Sequence, residues 1–202
     1  MKTFKYLLML CFLVPFLSCT DENKDPVLPH TYDEVVPGNV QAAIESHMPI
    51  YNGITPPDVS GTYVLNPQAI ILSTDSRKNA PSEYADLYLK FWNESLSSRT
   101  LNCALHEWTE SMYVNIAYIS GSGNNFTVYY NAADTLFSVP VKMAVIISGI
   151  KTPEGITNFY QAYYMLEKAA DGDHKVLNVN EGIIFTDKDG LVENISLTKS
   201  GK

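Results

Sequence analysis

The chain has 202 residues, 46% of them apolar, and carries a formal net charge of −8 at pH 7. This apolar content can fill the core of one domain, which excludes a largely disordered chain. The acidic balance argues against nucleic acid and anionic lipid surfaces as electrostatic partners, because both attract basic proteins.

Residues 1–18 have the layout of a secretory signal peptide. Two lysines precede the apolar run Tyr6–Leu17, which is too short to span a membrane, and the small residue Ser18 comes directly before Cys19. The junction Phe16–Cys19 resembles the lipobox of bacterial lipoproteins. This resemblance implies cleavage before Cys19 and attachment of a diacyl anchor, of the palmitate type, to its sulfur. An ordinary cleaved signal followed by an incidental cysteine is the alternative.

The next segment, residues 19–37, is rich in proline and acidic side chains and has no hydrophobic periodicity, so we expect a flexible acidic tether. Its start, Thr20–Asp25, resembles the surface-export signal of Bacteroidota-type lipoproteins. That resemblance implies an outer-membrane location facing the cell exterior, with the membrane as a partner through the lipid anchor.

A folded domain is predicted over residues 38–198, and we expect the tail, residues 199–202, to fray. The domain begins with a short helix, Val40–Met48, which has one apolar stripe and ends before a proline. So short a helix is not stable alone, and we expect it to pack on the rest of the domain or to plug one end of it. After Pro56-Pro57, which enforce extended backbone, alternation with period two takes over.

Eight or nine β-strands are predicted from this alternation and from the turn residues between the runs. They are Tyr63–Ser73 with a break at Pro67, Tyr84–Glu94, Thr100–Thr109, Met112–Ile119, Phe126–Asn131, Val139–Ile150, Ile156–Lys168, Gly182–Thr186 and Leu191–Leu197. The segment Ser120–Asn125 predicts a hairpin connection. The Asp-Gly pair within Asp187–Gly190 favours a tight type I′ turn and so predicts a second hairpin.

Strands joined by short turns pair with their neighbours along the chain, and barrel closure removes exposed edges. We therefore predict an all-β fold, an antiparallel meander barrel of eight to nine strands with one short N-terminal helix. A two-sheet β-sandwich is the alternative, because alternation does not decide closure.

Two resemblances accompany this fold. A helix followed by Gly61-Thr62-Tyr63 resembles the start of lipocalin-type (calycin-like) barrels, with Tyr63 in the place of their tryptophan. Over residues 1–198, the tether, the PPxVxGxY segment and the final DxDGLxE sequence resemble small Bacteroidota surface lipoproteins of unassigned role.

The sequence offers no positive case for catalysis, a cofactor or a metal. His106–Glu110 is similar to a zinc-helix HExxH, but it ends in Glu, and on a strand its ligands do not converge. Asp187–Gly190 resembles the opening of a calcium loop, but the later ligands are missing. No nucleophile elbow, phosphate loop or dinucleotide fingerprint occurs. Paired carboxylates for glycoside hydrolysis stay open, because their separation in space is not readable.

The three cysteines are Cys11 in the signal run, Cys19 at the lipid-attachment position and Cys103 in a predicted strand. Cys11 is lost with the signal peptide and Cys19 is acylated. Cys103 then remains alone, so we expect no intramolecular disulfide. A lone strand cysteine is usually a small buried hydrophobe.

Aromatic residues in the strands are the remaining functional signal, because Tyr and Trp join apolar area to a polar tip. The candidate ligand-binding residues are Tyr84, Tyr88, Trp92, Trp108, Tyr118 and Tyr163. Packing in the core or between strands is their alternative role. We expect a surface-anchored β-barrel binding module that holds a small apolar or amphipathic ligand or a glycan with inward-facing aromatic side chains. The alternatives are a non-catalytic structural lipoprotein within an outer-membrane surface complex and, third, a hydrolase. Asp134-Thr135-Leu136 resembles a bacterial O-glycan acceptor.

Overall fold

The structure is a computed structural model of the chain, and it describes residues 31–75, 77, 83–107 and 110–196. For residues 83, 84, 107 and 110 it describes the backbone alone. The predicted signal peptide, Cys19 and most of the predicted tether lie outside the described residues.

Two short helices precede the strands: α1 (Tyr32–Val35) and α2 (Gly38–Ile44). The strands are β1 (Ile54–Thr55), β2 (Gly61–Leu65), β3 (Gln68–Ser73), β4 (Glu83–Tyr84), β5 (Leu87–Ser95), β6 (Thr100–Glu107), β7 (Glu110–Ser122), β8 (Asn125–Leu136), β9 (Val139–Lys151), β10 (Gly155–Lys168), β11 (Gly182–Asp187) and β12 (Leu191–Asn194). All pairings except that of β1 with β7 are antiparallel.

These strands form a closed ring of 8 in one sheet, which confirms the predicted antiparallel meander barrel. Strands β5 to β10 pair in chain order. Each position around the ring is here called a stave. The two remaining staves are composite, since β2 and β3 form one interrupted stave and β11 and β12 form the other, while β4 leads into β5. The ring closes because β11 and β12 both pair with β10 on one side and with β3 and β2 on the other.

The staves built from β2–β3 and β11–β12 are interrupted at the same height. Asn66 and Pro67 separate β2 from β3, as the predicted break at Pro67 requires, and residues 188–190 separate β11 from β12. The Asp187 carboxylate joins the two interruptions, because it accepts the backbone N–H of Asn66 at 3.2 Å and that of Gly190 at 2.9 Å.

The predicted hairpin at Asp187–Gly190 is wrong. Strands β11 and β12 do not pair with each other but follow one another along β10. Gly190 has a φ of 90°, whereas Asp189 is not in the left-handed region that a type I′ turn requires there. The physical reason is local: the Asp187 carboxylate also accepts the N–H of Asp189 and of Leu191, which fixes a turn that offsets the strand without reversing it.

The barrel wall is split on one side. The predicted hairpin at Ser120–Asn125 is confirmed, but β7 and β8 pair only between residues 118–122 and 125–129. Beyond that point residues 110–117 of β7 pair with β6 alone, and residues 130–136 of β8 pair with β9 alone. The wall is therefore continuous at the hairpin end and parted at the other.

One end of the barrel is closed by the chain that enters it. Val59 is fully buried in the interior core, and its carbonyl accepts the Tyr63 hydroxyl at 2.7 Å. Next to it the rings of Tyr63, Phe91 and Phe126 pack at centroid distances of 6.2 and 6.5 Å. This end, here called the closed end, is filled by aromatic side chains.

Residues 31–55, here called the strap, lie on the outer wall of the barrel. Tyr32, Val35 and Val36 are buried against β7 to β11, and the Tyr32 ring meets the Tyr129 ring edge-on at 5.5 Å. Val40 and Ile44 of α2 belong to the same outer cluster. The predicted tether therefore extends too far, because apolar side chains within residues 31–36 dock on the barrel. The predicted helix packs on the wall and does not plug the barrel.

Candidate functional site

An apolar cavity of about 160 Å³ lies at the barrel end opposite Val59. Its walls come mainly from strand residues nearest that end: Leu87, Leu105, Met112, Met143, Met165 and Ile183. Whether the barrel is filled or hollow could not be decided from sequence, and both descriptions hold, one for each end.

The residue types explain this division of the interior. Rigid rings fill the closed end, whereas 3 of the chain's 6 methionines line the cavity. Methionine is unbranched and polarizable, so a methionine-lined space can adapt to occupants of different shapes. Met112 lies at the start of β7, where the wall is split, and it lines the cavity.

Residues 169–181, here called the cover loop, place Val176 and Leu177 over the cavity. Arg77 holds this loop from a different part of the chain. Its guanidinium donates to both carboxylate oxygens of Asp75, at 2.8 and 2.7 Å, and to the backbone carbonyls of His174 and Val176, at 2.6 and 3.3 Å. Such a bidentate contact fixes orientation as well as distance.

A second carboxylate organises the cover loop from within. Asp171 accepts the backbone N–H of Lys175 at 3.0 Å and that of Val176 at 3.1 Å, and its other partner is the Lys168 ammonium at 3.4 Å. These bonds stabilise the ionised form, and the bond from Lys175 in particular lowers the pKa of Asp171. The loop over the cavity is thus held by charge-assisted hydrogen bonds.

Buried polar groups, here called the floor, contact residues of the cavity lining from the barrel interior. Gln161 is fully buried on β10, its Nε2 donates to the Tyr163 hydroxyl, and its Oε1 has no partner. The Tyr130 hydroxyl lies 3.9 Å from both the Cys103 and Met112 sulfurs. Burial raises the pKa of Cys103 to about 12 and that of Tyr130 well above its usual value, so both groups are neutral.

Of the predicted ligand-binding side chains that the structure describes, Tyr163 alone lines the cavity. Tyr88 and Trp92 point away from the interior, because Leu87, Leu89 and Phe91 of the same strand point inward. The Lys90 Nζ lies 5.4 Å from the centre of the Trp92 ring on this outer face. The expectation that these aromatic side chains face inward together is wrong for Tyr88 and Trp92.

Tyr118 also lies on the outer face, where it stacks on Tyr129 at 6.1 Å beneath the strap. It is buried by tertiary packing, so it does not line the barrel interior as expected. Trp108 lies outside the described residues. For Tyr84 the structure describes only the backbone.

The three cavity methionines and Gln161 were not among the ligand-binding residues predicted from the sequence. The methionines occupy inward positions near strand ends, which places them at one end of the barrel once the strands are aligned. Gln161 is a polar residue at an inward position between Phe159 and Tyr163, and this break in the alternation was a readable signal.

The candidate metal motifs have other roles. His106 Nδ1 and Ser111 Oγ are 2.6 Å apart across two strands on the outer face. Asp187 accepts backbone N–H groups, as described above. Within residues 31–75, 77, 83–107 and 110–196, no group of three or more His, Cys, Asp or Glu side chains could hold a metal ion.

No protein-family model, curated protein or solved structure matches this chain. The lipocalin relationship and the lipoprotein class stay predictions from the sequence. In the part of the chain that the structure describes, no helix has the length and apolar character needed to cross a membrane.

Proposed function

We propose that this protein is a non-catalytic binding protein, lipid-anchored through Cys19 to the outer membrane and facing the cell exterior, whose barrel holds a small apolar or amphipathic molecule. The observation that carries the proposal is the apolar cavity of about 160 Å³, which lies next to the packed interior core of the barrel. Concave, mostly apolar spaces with a few polar groups are the usual form of small-molecule sites.

The size of the cavity limits the ligand. An apolar protein cavity of about 150 Å³ is known to stay dry and to bind benzene. A cavity of this volume therefore suits one ring or a short chain and is too small for a sterol. A glycan, the other ligand class expected from the sequence, would need more hydrogen-bonding partners than these walls of Leu, Ile and Met provide.

The anchor and the strap together define how the barrel is presented. The segment between Cys19 and Tyr32 spans about 12 residues, which reach roughly 40 Å when fully extended. A binding protein tethered in this way stays within reach of the membrane surface while its barrel remains in the aqueous phase.

Methionine methyl groups allow a direct test with benzene as the probe. In NMR spectra of the full chain with ¹³C-methyl methionine, we expect benzene to shift the Met112, Met143 and Met165 signals. Met48 belongs to the outer cluster beneath the strap and serves as the internal reference. Absence of any selective shift would contradict the proposal.

A pair of tryptophan substitutions supplies the matched control. Leu105→Trp replaces a leucine of the cavity wall by a bulky indole ring. It should abolish the benzene shifts, because the ring fills the cavity. Tyr113→Trp enlarges an exposed side chain on the neighbouring strand and should leave them unchanged. Equal behaviour of the two variants would show that benzene binds elsewhere.

A second candidate function, an interaction subunit of a surface complex, is favoured by one observation. The strap leaves part of the outer face of β5 to β7 uncovered, and there Tyr88, Tyr113 and Ile116 are 43%, 74% and 45% exposed. Exposed aromatic side chains are enriched at protein interfaces. Site-specific photocrosslinking from position 113 in intact cells would test it, and an absence of crosslinked protein would reject it.

A further inference from the structure

Gln161 lies in the barrel interior beside two residues of the cavity lining, Tyr163 and Phe185. It pairs across strands with Phe185 and Ile147, and Phe185 lines the cavity, as does Tyr163 two residues further along β10. Because side chains two residues apart share a face of a strand, Gln161 points into the barrel as Tyr163 does. Its amide therefore lies next to the cavity wall, in contact with Tyr163.

The hydrogen bonding of this floor is incomplete. The Gln161 side chain is fully buried, its Nε2 donates to Tyr163, and its Oε1 accepts no hydrogen bond. The buried Tyr130 hydroxyl has sulfur partners at 3.9 Å, Cys103 and the cavity residue Met112, which are weak. A buried amide oxygen without a donor costs free energy, and a bound hydroxyl would recover it.

We infer that the cavity selects an uncharged amphipathic molecule with one hydroxyl group, bound with that hydroxyl on Gln161 and Tyr163 and with its apolar body among the methionines. This inference rests on the proposed function and adds the ligand class and its orientation. A charged head group is disfavoured at this depth, because Gln161, Tyr163 and Tyr130 offer no compensating charge. The polar end of the ligand thus enters first.

Benzene and phenol distinguish this arrangement from simple apolar binding, because they differ only in the hydroxyl group. Both would be titrated into the full chain, with the cavity methionine methyl signals giving dissociation constants. In Gln161→Leu and in Tyr163→Phe, we expect the affinity for phenol to fall about three- to tenfold. The affinity for benzene should stay within about twofold, since the apolar walls are unchanged.

Ser148→Ala is the matched control, because the Ser148 hydroxyl is also buried without a partner but lies on the outward-facing side of β9. It should change neither affinity. If Gln161→Leu does not fold, Tyr163→Phe decides the question, because it keeps the ring and removes only the hydroxyl.

The outcomes separate the two proposals. Unchanged phenol affinity in the floor variants would overturn the inference, while benzene binding would still support the proposed function. A parallel loss of benzene and phenol would assign the floor a purely structural role and would also overturn the inference. If neither probe shifts the cavity methionines of the unaltered protein, the proposed function fails as well.

Discussion

The strap should be part of the cooperative fold, and Ile44→Ala tests this. Ile44 is 2% exposed and packs with Val40 and Met48 against the outer wall of the barrel. The substitution removes three buried methyl or methylene groups, each of which contributes about 0.8 kcal/mol to the free energy of unfolding. The cavity left behind adds to that loss. We therefore expect the free energy of unfolding to fall by about 3 kcal/mol.

The same residue type on the same segment provides the control. Ile54 is 76% exposed, so Ile54→Ala should change the free energy of unfolding by less than about 0.5 kcal/mol. Urea unfolding would be followed by tryptophan fluorescence, which reports on the barrel, and by far-ultraviolet circular dichroism. We expect one transition for both probes, with an unchanged slope against urea.

Two results would refute this reasoning. A loss below about 1 kcal/mol for Ile44→Ala would mean that the strap releases before the barrel unfolds, so that the barrel alone sets the transition. Two transitions that do not coincide would lead to the same conclusion, and residues 31–55 would then be an extension of the tether.

Two further predictions concern the closed end and the anchor. Burial, with Asp58 nearby, raises the pKa of Glu94 to about 7. A carboxyl whose pKa is raised on folding favours the native state at low pH, and this contribution is lost as the pH rises from about 4.5 through 7. Glu94→Gln should therefore be more stable relative to the unaltered protein at pH 8 than at pH 4.5, by about 1 kcal/mol after allowance for solvent screening. Urea midpoints at both pH values measure it, with the exposed Glu193→Gln as control, and a constant difference would contradict the assignment. For the anchor, Cys19→Ala should move the protein from the membrane to the soluble fraction on cell fractionation, whereas Cys103→Ala should leave it in the membrane. Retention of the Cys19 variant would reject lipid anchoring.

Local patterns predicted much of the fold. Alternation in β5 assigned Leu87, Leu89 and Phe91 to one face, and the structure places all three in the barrel interior. The predicted break at Pro67 is confirmed, because proline cannot donate to a sheet ladder. The Asp-Gly pair at Asp189-Gly190 misled, since the same residues suit a hairpin turn and a turn within one interrupted strand.

The candidate site was much less predictable. Tyr118 and Tyr163 carry the same side chain at strand positions, yet the strap covers the first and the second lines the cavity. Nothing within a few residues of either one distinguishes them. The difference depends on which distant segment packs against each face.

The sequence by itself determined the strands, most of the alternation within them and the meander order, because these follow from interactions between near neighbours along the chain. The tertiary structure decided barrel closure, the docking of the strap and the cavity beside Tyr163. They depend on the alignment of β10 with β9, β11 and β12, and such long-range register is set by the joint packing of many side chains.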